Sequence, residues 1–213
     1  MTEERVRFAA FAGLAGACLL FVGDMLFYGQ WGSGADALTG TMAEVRGADP
    51  FRLTLGGLTS ILGGLGYSLG VLHVWGRLSP TAPWLRGAVT AGFLLVAIIA
   101  TATHAVWGAF ALAAGTGEAA ASAVGRYLDL HFLIGGIVGA PTSILLFAVV
   151  ASGRSAWPRA FAVISPGALY LLFSTATWFP APLGAAVVGG GFNLAFAAFY
   201  GASLLVRPAR PKS

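Results

Sequence analysis

Long apolar stretches alternate along the chain with short connections, and most of the charged residues lie in those connections. A helix of about 20 apolar residues is long enough to cross the ~30 Å hydrocarbon core of a bilayer. The pattern therefore predicts an all-α fold, a bundle of six transmembrane helices that forms one domain over residues 1–213. The predicted spans cover residues 8–28, 53–74, 87–112, 127–151, 161–178 and 183–206.

The first apolar stretch has a second interpretation, a secretory signal peptide cleaved near residues 15–17. Its apolar run continues past that point and is longer than the ~7–15 residues of a signal-peptide core, so a retained helix is expected. The turn at residues 179–182 is so short that the last two spans should be antiparallel neighbours. Pro141 and Pro166 lie inside predicted spans and should kink them.

The basic residues fall almost entirely in alternate connections and at the two ends of the chain. Of the twelve, nine lie on the side that holds both termini: Arg5, Arg7, Arg77, Arg86, Arg154, Arg159, Arg207, Arg210 and Lys212. The other side holds Arg46, Arg52 and Arg126. Because short cytoplasmic loops are enriched in Lys and Arg, both termini are predicted to be cytoplasmic, in the cytoplasmic (inner) membrane of a bacterium. An odd number of spans would separate the two basic termini, which favours six.

The composition excludes an ordinary soluble domain. Only 9% of the residues are charged, against about 25% in soluble proteins, and 57% are hydrophobic. The net charge of +4 is explained by membrane topology, since no Lys/Arg cluster forms a face for nucleic acid. No nucleic-acid partner is expected.

Glycine is frequent inside the spans, with 31 residues in the whole chain. In lipid, small residues let helix backbones approach closely, so Gly66 with Gly70, and Gly135 with Gly139, are predicted to be helix-contact faces. A phosphate-binding loop is the alternative, but no G-K-[ST] sequence follows and no strand precedes.

Four ionisable residues fall inside predicted spans at similar depth near the outer surface: Asp24, His104, Asp129 and His131. An ionisable group costs about 2.5–3.5 kcal/mol or more at the bilayer centre, so such a residue is a functional candidate by default. We expect Asp24 and His104 to be a catalytic acid–base pair in an outward-opening cavity, with His131 and Asp129 orienting them. The predicted substrate-binding residues are Tyr28, Trp107, Trp178 and Asn193.

Each of these residues also has a structural interpretation. Asp24 is about equally well explained as a polar contact that holds helices together, and Asn193 as an interhelical hydrogen bond. Asp129 fits an interfacial carboxylate or one in the first turn of a helix, where negative charge is stabilised. The tryptophans fit an aromatic belt, and His73 fits the inner membrane interface.

A metal site is an alternative for Asp24, His104 and His131, which offer two imidazoles and a carboxylate as ligands. No H-E-x-x-H or similarly spaced motif supports it, so neither a metal nor another cofactor is predicted. Haem held by the two histidines is disfavoured further, because the predicted depths of the two rings differ by more than one helical turn.

The stretch from Phe21 to Gly29, together with residues 189–193 (GGGFN), resembles an uncharacterised family of small bacterial polytopic membrane proteins. The resemblance implies a multi-span membrane protein and no particular reaction. The chain lacks the H-x-x-x-H helix of zinc-dependent ceramidase-like hydrolases. Its acid, histidine, asparagine and tryptophan are similar in residue type, without aligned motifs, to those of sterol isomerase-like membrane proteins.

Three functions remain open from the sequence. The first is a membrane-embedded enzyme, of isomerase, cyclase or hydrolase type, acting on a lipid or isoprenoid-like molecule. The second is a small carrier or permease, and the third is a non-catalytic membrane subunit. The expected partners are membrane lipids, an apolar small molecule and, as a further possibility, other copies of the chain.

Overall fold

A computed structural model describes residues 1–29, 31–36 and 49–206, although the side chain of Tyr28 is outside the description. The chain is all-α, 82% helical, and the described residues form no strand. The helices are α1 (Glu3–Tyr28), α2 (Pro50–Arg77), α3 (Pro83–Thr116), α4 (Glu118–Ala151), a 3-10 helix (Arg159–Ile164), α5 (Pro166–Ser174), α6 (Gly184–Gly189) and α7 (Gly191–Leu205).

The ends of α1 and α2 are fixed by polar side chains. The Asp49 carboxylate accepts hydrogen bonds from the backbone N–H groups of Phe51 and Arg52, which caps the start of α2. The Arg52 guanidinium then donates to the carbonyl oxygens of Met25 and Leu26, at 3.3 and 2.9 Å. Those carbonyls belong to the last turn of α1, where a positive charge is favourable, and the Met25 oxygen also accepts from the Gly29 N–H.

Four of the helices, α1 to α4, are long and apolar enough to cross a membrane. This supports a multi-pass membrane protein. Helices α3 and α4 have 34 residues each. At a rise of 1.5 Å per residue they are about 51 Å long, well beyond the hydrocarbon thickness.

The fifth predicted span is wrong as a single helix. Residues 161–178 contain parts of the 3-10 helix, the nine-residue α5 and an irregular segment. Pro166 does not kink a helix but begins one, because the residue before a proline avoids the α conformation. The sixth predicted span is interrupted at Gly190, between α6 and α7. Six spans and cytoplasmic termini stay predictions.

Contacts gather the described basic connections at one end of the bundle. The Arg77 guanidinium binds the Glu3 carboxylate at 2.8 Å, which joins the end of α2 to the start of α1. The Thr81 hydroxyl donates to the Arg154 carbonyl, and Arg7 donates to the Leu204 carbonyl. We call this the basic end; Arg46, Arg207, Arg210 and Lys212 lie outside the described residues.

His73 is buried within the protein at the basic end. Its Nδ1 is 2.9 Å from the Val6 carbonyl oxygen, so Nδ1 carries the proton and Nε2 accepts from the Ser203 hydroxyl at 2.7 Å. Ser203 also accepts from the Trp157 indole N–H at 2.7 Å. The ring is fully enclosed and joins α1, α2 and α7. Its position at the inner membrane interface stays a prediction.

Helices α1 and α2 meet along a line of glycines. A Cβ atom at Gly66 would lie 2.6 Å from the Cα atom of Gly16, and one at Gly70 would lie 2.8 Å from the Cα atom of Gly13. Backbones this close leave no room for any side chain. The predicted contact face at Gly66 and Gly70 is confirmed, and it packs on the glycines of α1.

Adding a methyl group to this seam should weaken the bundle. We expect Gly66→Ala to lower the free energy of unfolding by about 1–3 kcal/mol, because backbone atoms must move apart. The measurement is unfolding in detergent followed by circular dichroism. Gly57→Ala is the matched control, since a Cβ there meets nothing within 4 Å. Equal stability of the two variants would contradict the role given to the glycine seam.

Candidate functional site

A hydrogen-bonded group of four side chains lies inside the bundle, away from the basic end. Asp24, in the last turns of α1, accepts a hydrogen bond on Oδ2 from the Asn193 Nδ2 group of α7, at 2.7 Å. The Tyr67 hydroxyl of α2 donates to Asn193 Oδ1 at 2.8 Å. His104 of α3 completes the group, with its Nε2 atom 2.8 Å from Asp24 Oδ1. We call these four residues the Asp24 network.

The His104 ring has a defined orientation. Its Nδ1 atom lies 2.8 Å from the Ala100 carbonyl oxygen, which only accepts, so Nδ1 carries a proton. The Nε2 atom and Asp24 Oδ1 would repel each other if neither carried a proton. The pair is therefore either an imidazolium beside a carboxylate or an imidazole beside a carboxylic acid. In the imidazolium form the contact is a close ion pair, because Nε2 has no hydrogen-bond partner of good geometry among the described residues.

The Asp24 network is almost completely enclosed by protein. Asp24 is 4% exposed, His104 5% and Asn193 2%. Four helices, α1, α2, α3 and α7, each contribute one side chain. Without water, the hydrogen bonds within such a group are strong and an unpaired member is costly. The network therefore fixes how the four helices pack.

Three members of the network also form part of the wall of a cavity. Its volume is about 760 Å³, within the range of ligand pockets. It lies between α3, α4, α5 and the α6–α7 pair, with Asp24, His104 and Asn193 in its wall. Further wall residues on these helices include Phe93, Trp107, His131, Thr142, Phe147, Tyr170 and Phe196.

The cavity opens sideways between α4 and α5. Apolar residues that line it there are partly exposed: Phe132 and Ile144 on α4, and Tyr170 and Leu171 on α5. Helix α4 is long and apolar enough to cross a membrane, whereas α5 has only nine residues. We call this space the lateral cavity, because its exposed lining residues lie on the side of the bundle.

Glycines on α4 create part of the cavity volume. Gly135 and Gly139 line the cavity, and a Cβ on either would have only van der Waals contacts, at 3.6 and 3.9 Å. A Cβ on Gly136 would meet nothing within 4 Å. Gly135 and Gly139 do lie against a neighbouring helix, on Ile99 and Val96 of α3, but the two helices approach less closely there than at Gly66 and Gly70. The missing side chains also leave part of the cavity volume open.

The structure brings together most of the residues singled out from the sequence. Asp24, His104 and Asn193 are in direct contact, as described above. Trp107 is buried and lines the lateral cavity beside them, instead of lying in an aromatic belt. The side chain of Tyr28 is outside the described residues. The catalytic and binding roles of these residues stay predictions.

His131 faces the lateral cavity but does not touch the acid–base pair. Its ring packs on Tyr127, with 4.7 Å between the ring centroids, as their spacing of four residues predicts. Its Nδ1 atom is buried and has no hydrogen-bond partner in the structure. The expectation that His131 orients Asp24 or His104 gains no support from these contacts. The ring is better placed to contact a molecule in the cavity.

Asp129 and Trp178 lie away from the cavity. Asp129 is exposed, and side chains two residues apart on a helix point in nearly opposite directions, so Asp129 cannot share the face of His131. Helix α4 begins at Glu118, so Asp129 lies beyond the first turn. The first-turn interpretation is therefore wrong, and the interfacial one stays a prediction. Trp178 is 75% exposed in the connection after α5. Neither residue contacts the acid–base pair or lines the cavity.

Two polar residues of this region were missed by sequence reasoning. Tyr67 bonds Asn193, and Ser165 lines the lateral cavity. Tyr67 follows Gly66 of the Gly66–Gly70 contact face. Because a side chain next to a helix-contact face is buried, this position was a usable signal that Tyr67 lies inside the bundle. Ser165 precedes Pro166 and could have been identified as a helix start.

No three His, Cys, Asp or Glu side chains within the described ranges form a group that could hold a metal ion. Asp24 and His104 are together, but His131 stands apart from them. The alternative His/His/Asp metal set therefore lacks its third ligand.

A family model matches residues 1–207 of the chain. The chain belongs to DUF6796, a family of unknown function. This confirms the predicted membership of an uncharacterised family, while a bacterial origin and six helices are not shown by the match. No curated protein and no solved structure matches the chain. The function must therefore be argued from the geometry of the Asp24 network and the lateral cavity.

The contact between Asp24 and His104 can be measured with a double-mutant cycle. His104→Gln should lower the free energy of unfolding by about 3–5 kcal/mol, because it leaves a buried carboxylate without its partner. Asp24→Asn combined with His104→Gln should cost less than the sum of the single changes, by about 0.5–2 kcal/mol. Thermal and denaturant unfolding in detergent give these values.

The exposed Asp129→Asn is the control for a carboxylate change, and we expect it to alter stability by less than about 0.5 kcal/mol. Strictly additive effects of the Asp24 and His104 changes would show that the two side chains do not interact in the folded protein.

Proposed function

We propose that this protein is a membrane-embedded enzyme that draws an apolar, lipid-like substrate from the bilayer into the lateral cavity. The observation that carries the proposal is the position of the Asp24 and His104 pair, in the wall of a mostly apolar cavity whose exposed lining residues lie on α4 and α5. A purely structural ion pair has no need of an adjacent space for a second molecule. An acid–base pair that acts on a substrate requires one.

The lining of the cavity supports an apolar substrate. Most of its wall is apolar, from Phe93, Trp107 and Phe196 to the three glycines of α4. Among the described residues no Lys or Arg lines it, so a strongly anionic molecule would lack a counter-ion there. The mouth between α4 and α5 faces acyl chains rather than water. These properties fit a molecule that is already dissolved in the membrane.

The pair supports proton transfer as the chemistry. Nδ1 of His104 is fixed by the Ala100 carbonyl, which leaves Nε2 as the atom that gains or loses a proton beside Asp24. Asn193 holds the other carboxylate oxygen and so orients Asp24. The Trp107 ring could stabilise a cation that develops on the substrate, as in an isomerase or cyclase. His104 is the proposed proton carrier, and Asp24 the group that sets its charge.

One observation favours a second function, that of a non-catalytic membrane subunit. The Asp24 network joins four helices, and both oxygens of Asp24 and both polar atoms of Asn193 have partners. A network satisfied in this way can exist for packing alone. The two functions differ in what they require of the cavity, since only the enzyme needs it occupied.

Blocking the cavity should remove the bound molecule. We expect wild-type protein purified in native-membrane nanodiscs to carry an apolar molecule that mass spectrometry detects, and Gly139→Phe to carry at least tenfold less. The control is Gly87→Phe, which adds the same ring on α3 at a position where a Cβ meets nothing within 4 Å. Equal amounts in both variants would place the molecule outside the cavity, and an empty wild-type protein would contradict the proposal.

Proton transfer should be visible as isotope exchange. Wild-type protein incubated with a membrane lipid extract in D₂O should add deuterium to one component, or convert it to a product of different mass or retention time. Asp24→Asn and His104→Gln should reduce this at least a hundredfold, the usual scale of acid–base catalysis, while the molecule stays bound. Asp129→Asn should not change it. Unchanged exchange in both network variants would favour the non-catalytic function.

A further inference from the structure

The lateral cavity has a second polar region, at the start of α5. Residues 165–168 line the cavity there. Leu169 N–H makes the first hydrogen bond of the helix, to the Ser165 carbonyl. The N–H groups of Gly167 and Ala168 precede it and have no partner in the described part of the chain. Pro166 has no N–H, so these two groups and the Ser165 hydroxyl are the donors at this helix start.

The Ser165 side chain is an unusual buried donor. Ser165 is only 2% exposed, and its hydroxyl has no hydrogen-bond partner. A serine at this position normally accepts a hydrogen bond from an N–H of the first turn, but here that bond is absent. A buried hydroxyl without a partner costs free energy, which an incoming acceptor would recover.

The second polar region is far from the Asp24 network. Gly167 faces Ser143 on α4, and the neighbouring Thr142 faces Gly92 on α3. Gly92 is twelve residues before His104 on the same helix, which corresponds to about 18 Å along the helix axis. The cavity therefore has polar groups at two separated levels, with the glycines of α4 between them.

The charge of the cavity lining restricts which chemical groups could bind at Ser165. Helix starts favour oxygen acceptors, including anions. However, no Lys or Arg among the described residues lines the cavity. An ionised group moved from water into this apolar space would have no counter-ion, and burying it would cost free energy. An uncharged oxygen accepts the same hydrogen bonds without that cost.

We propose that Ser165 and the adjoining N–H groups of Gly167 and Ala168 bind an uncharged hydroxyl or carbonyl oxygen of a long-chain substrate. This rests on the proposed function and specifies its substrate class. The chain of the substrate lies along Gly139 and Gly135, and the part that reacts reaches His104. The reacting atoms are therefore remote from the anchored oxygen, in the apolar part of the molecule.

Three radiolabelled probes of equal chain length test this assignment: 1-hexadecanol, hexadecane and hexadecanoate. Their binding to detergent-solubilised full-length protein is measured by scintillation proximity at a fixed detergent-to-protein ratio. We expect hexadecanol to bind about tenfold more tightly than hexadecane. Ser165→Ala should remove that advantage, a change of about 1.4 kcal/mol, and leave hexadecane binding unchanged.

Two further variants control the test. Ser174→Ala makes the same chemical change at the other end of α5, outside the cavity lining, and should leave hexadecanol affinity unaltered. Ser165→Thr keeps the hydroxyl and should restore the affinity. An effect of Ser165→Ala on folding alone would instead weaken both hexadecanol and hexadecane.

The outcomes separate this inference from the proposed function. Equal hexadecanol affinity in wild type and Ser165→Ala would overturn the oxygen site while leaving the cavity and its acid–base pair in place. Tighter, Ser165-dependent binding of hexadecanoate would overturn the assignment of an uncharged group. Failure of all three probes to bind the wild type would overturn the site and the apolar-binding part of the proposed function together.

Discussion

The fold depends on the absence of water around the Asp24 network. Inside a bilayer, a carboxylate or an imidazole must find its partners within the protein, and here each partner comes from a different helix. Asp24 contacts His104 and Asn193, and Asn193 also contacts Tyr67. Displacing one of these helices would leave a polar group unpaired in an apolar medium. The network thus sets the register of α1, α2, α3 and α7 at one level.

The two kinds of glycine face explain how a rigid bundle can also contain a large cavity. Between α1 and α2, glycines allow backbones to touch, so this helix pair is packed without gaps. On α4, Gly135 and Gly139 meet α3 only at ordinary van der Waals distance and also line the cavity, and α5 has only nine residues. Tight packing on one side of the network thus holds Asp24 in place, while looser packing on the other leaves the cavity beside it.

The sequence predicted the membrane helices, the Gly66–Gly70 contact face and the proximity of Asp24, His104 and Asn193, because each leaves a local signal of hydropathy, spacing or depth. It did not predict how residues 159–205 divide into short helices. An apolar segment has the same hydropathy whether it forms one membrane-spanning helix or is broken into shorter ones. The predicted inclusion of Asp129 and Trp178 in the cavity failed because depth alone does not specify which way a side chain points.

The position of the cavity mouth determines which concentration governs occupancy. In the proposed function a molecule enters between α4 and α5 from the hydrocarbon phase, so its amount per lipid, rather than its amount per litre of buffer, sets the fraction of protein bound. A compound that is scarcely soluble in water can then saturate the protein. Added detergent or lipid would dilute that compound in two dimensions and empty the cavity, with no change in any contact inside it.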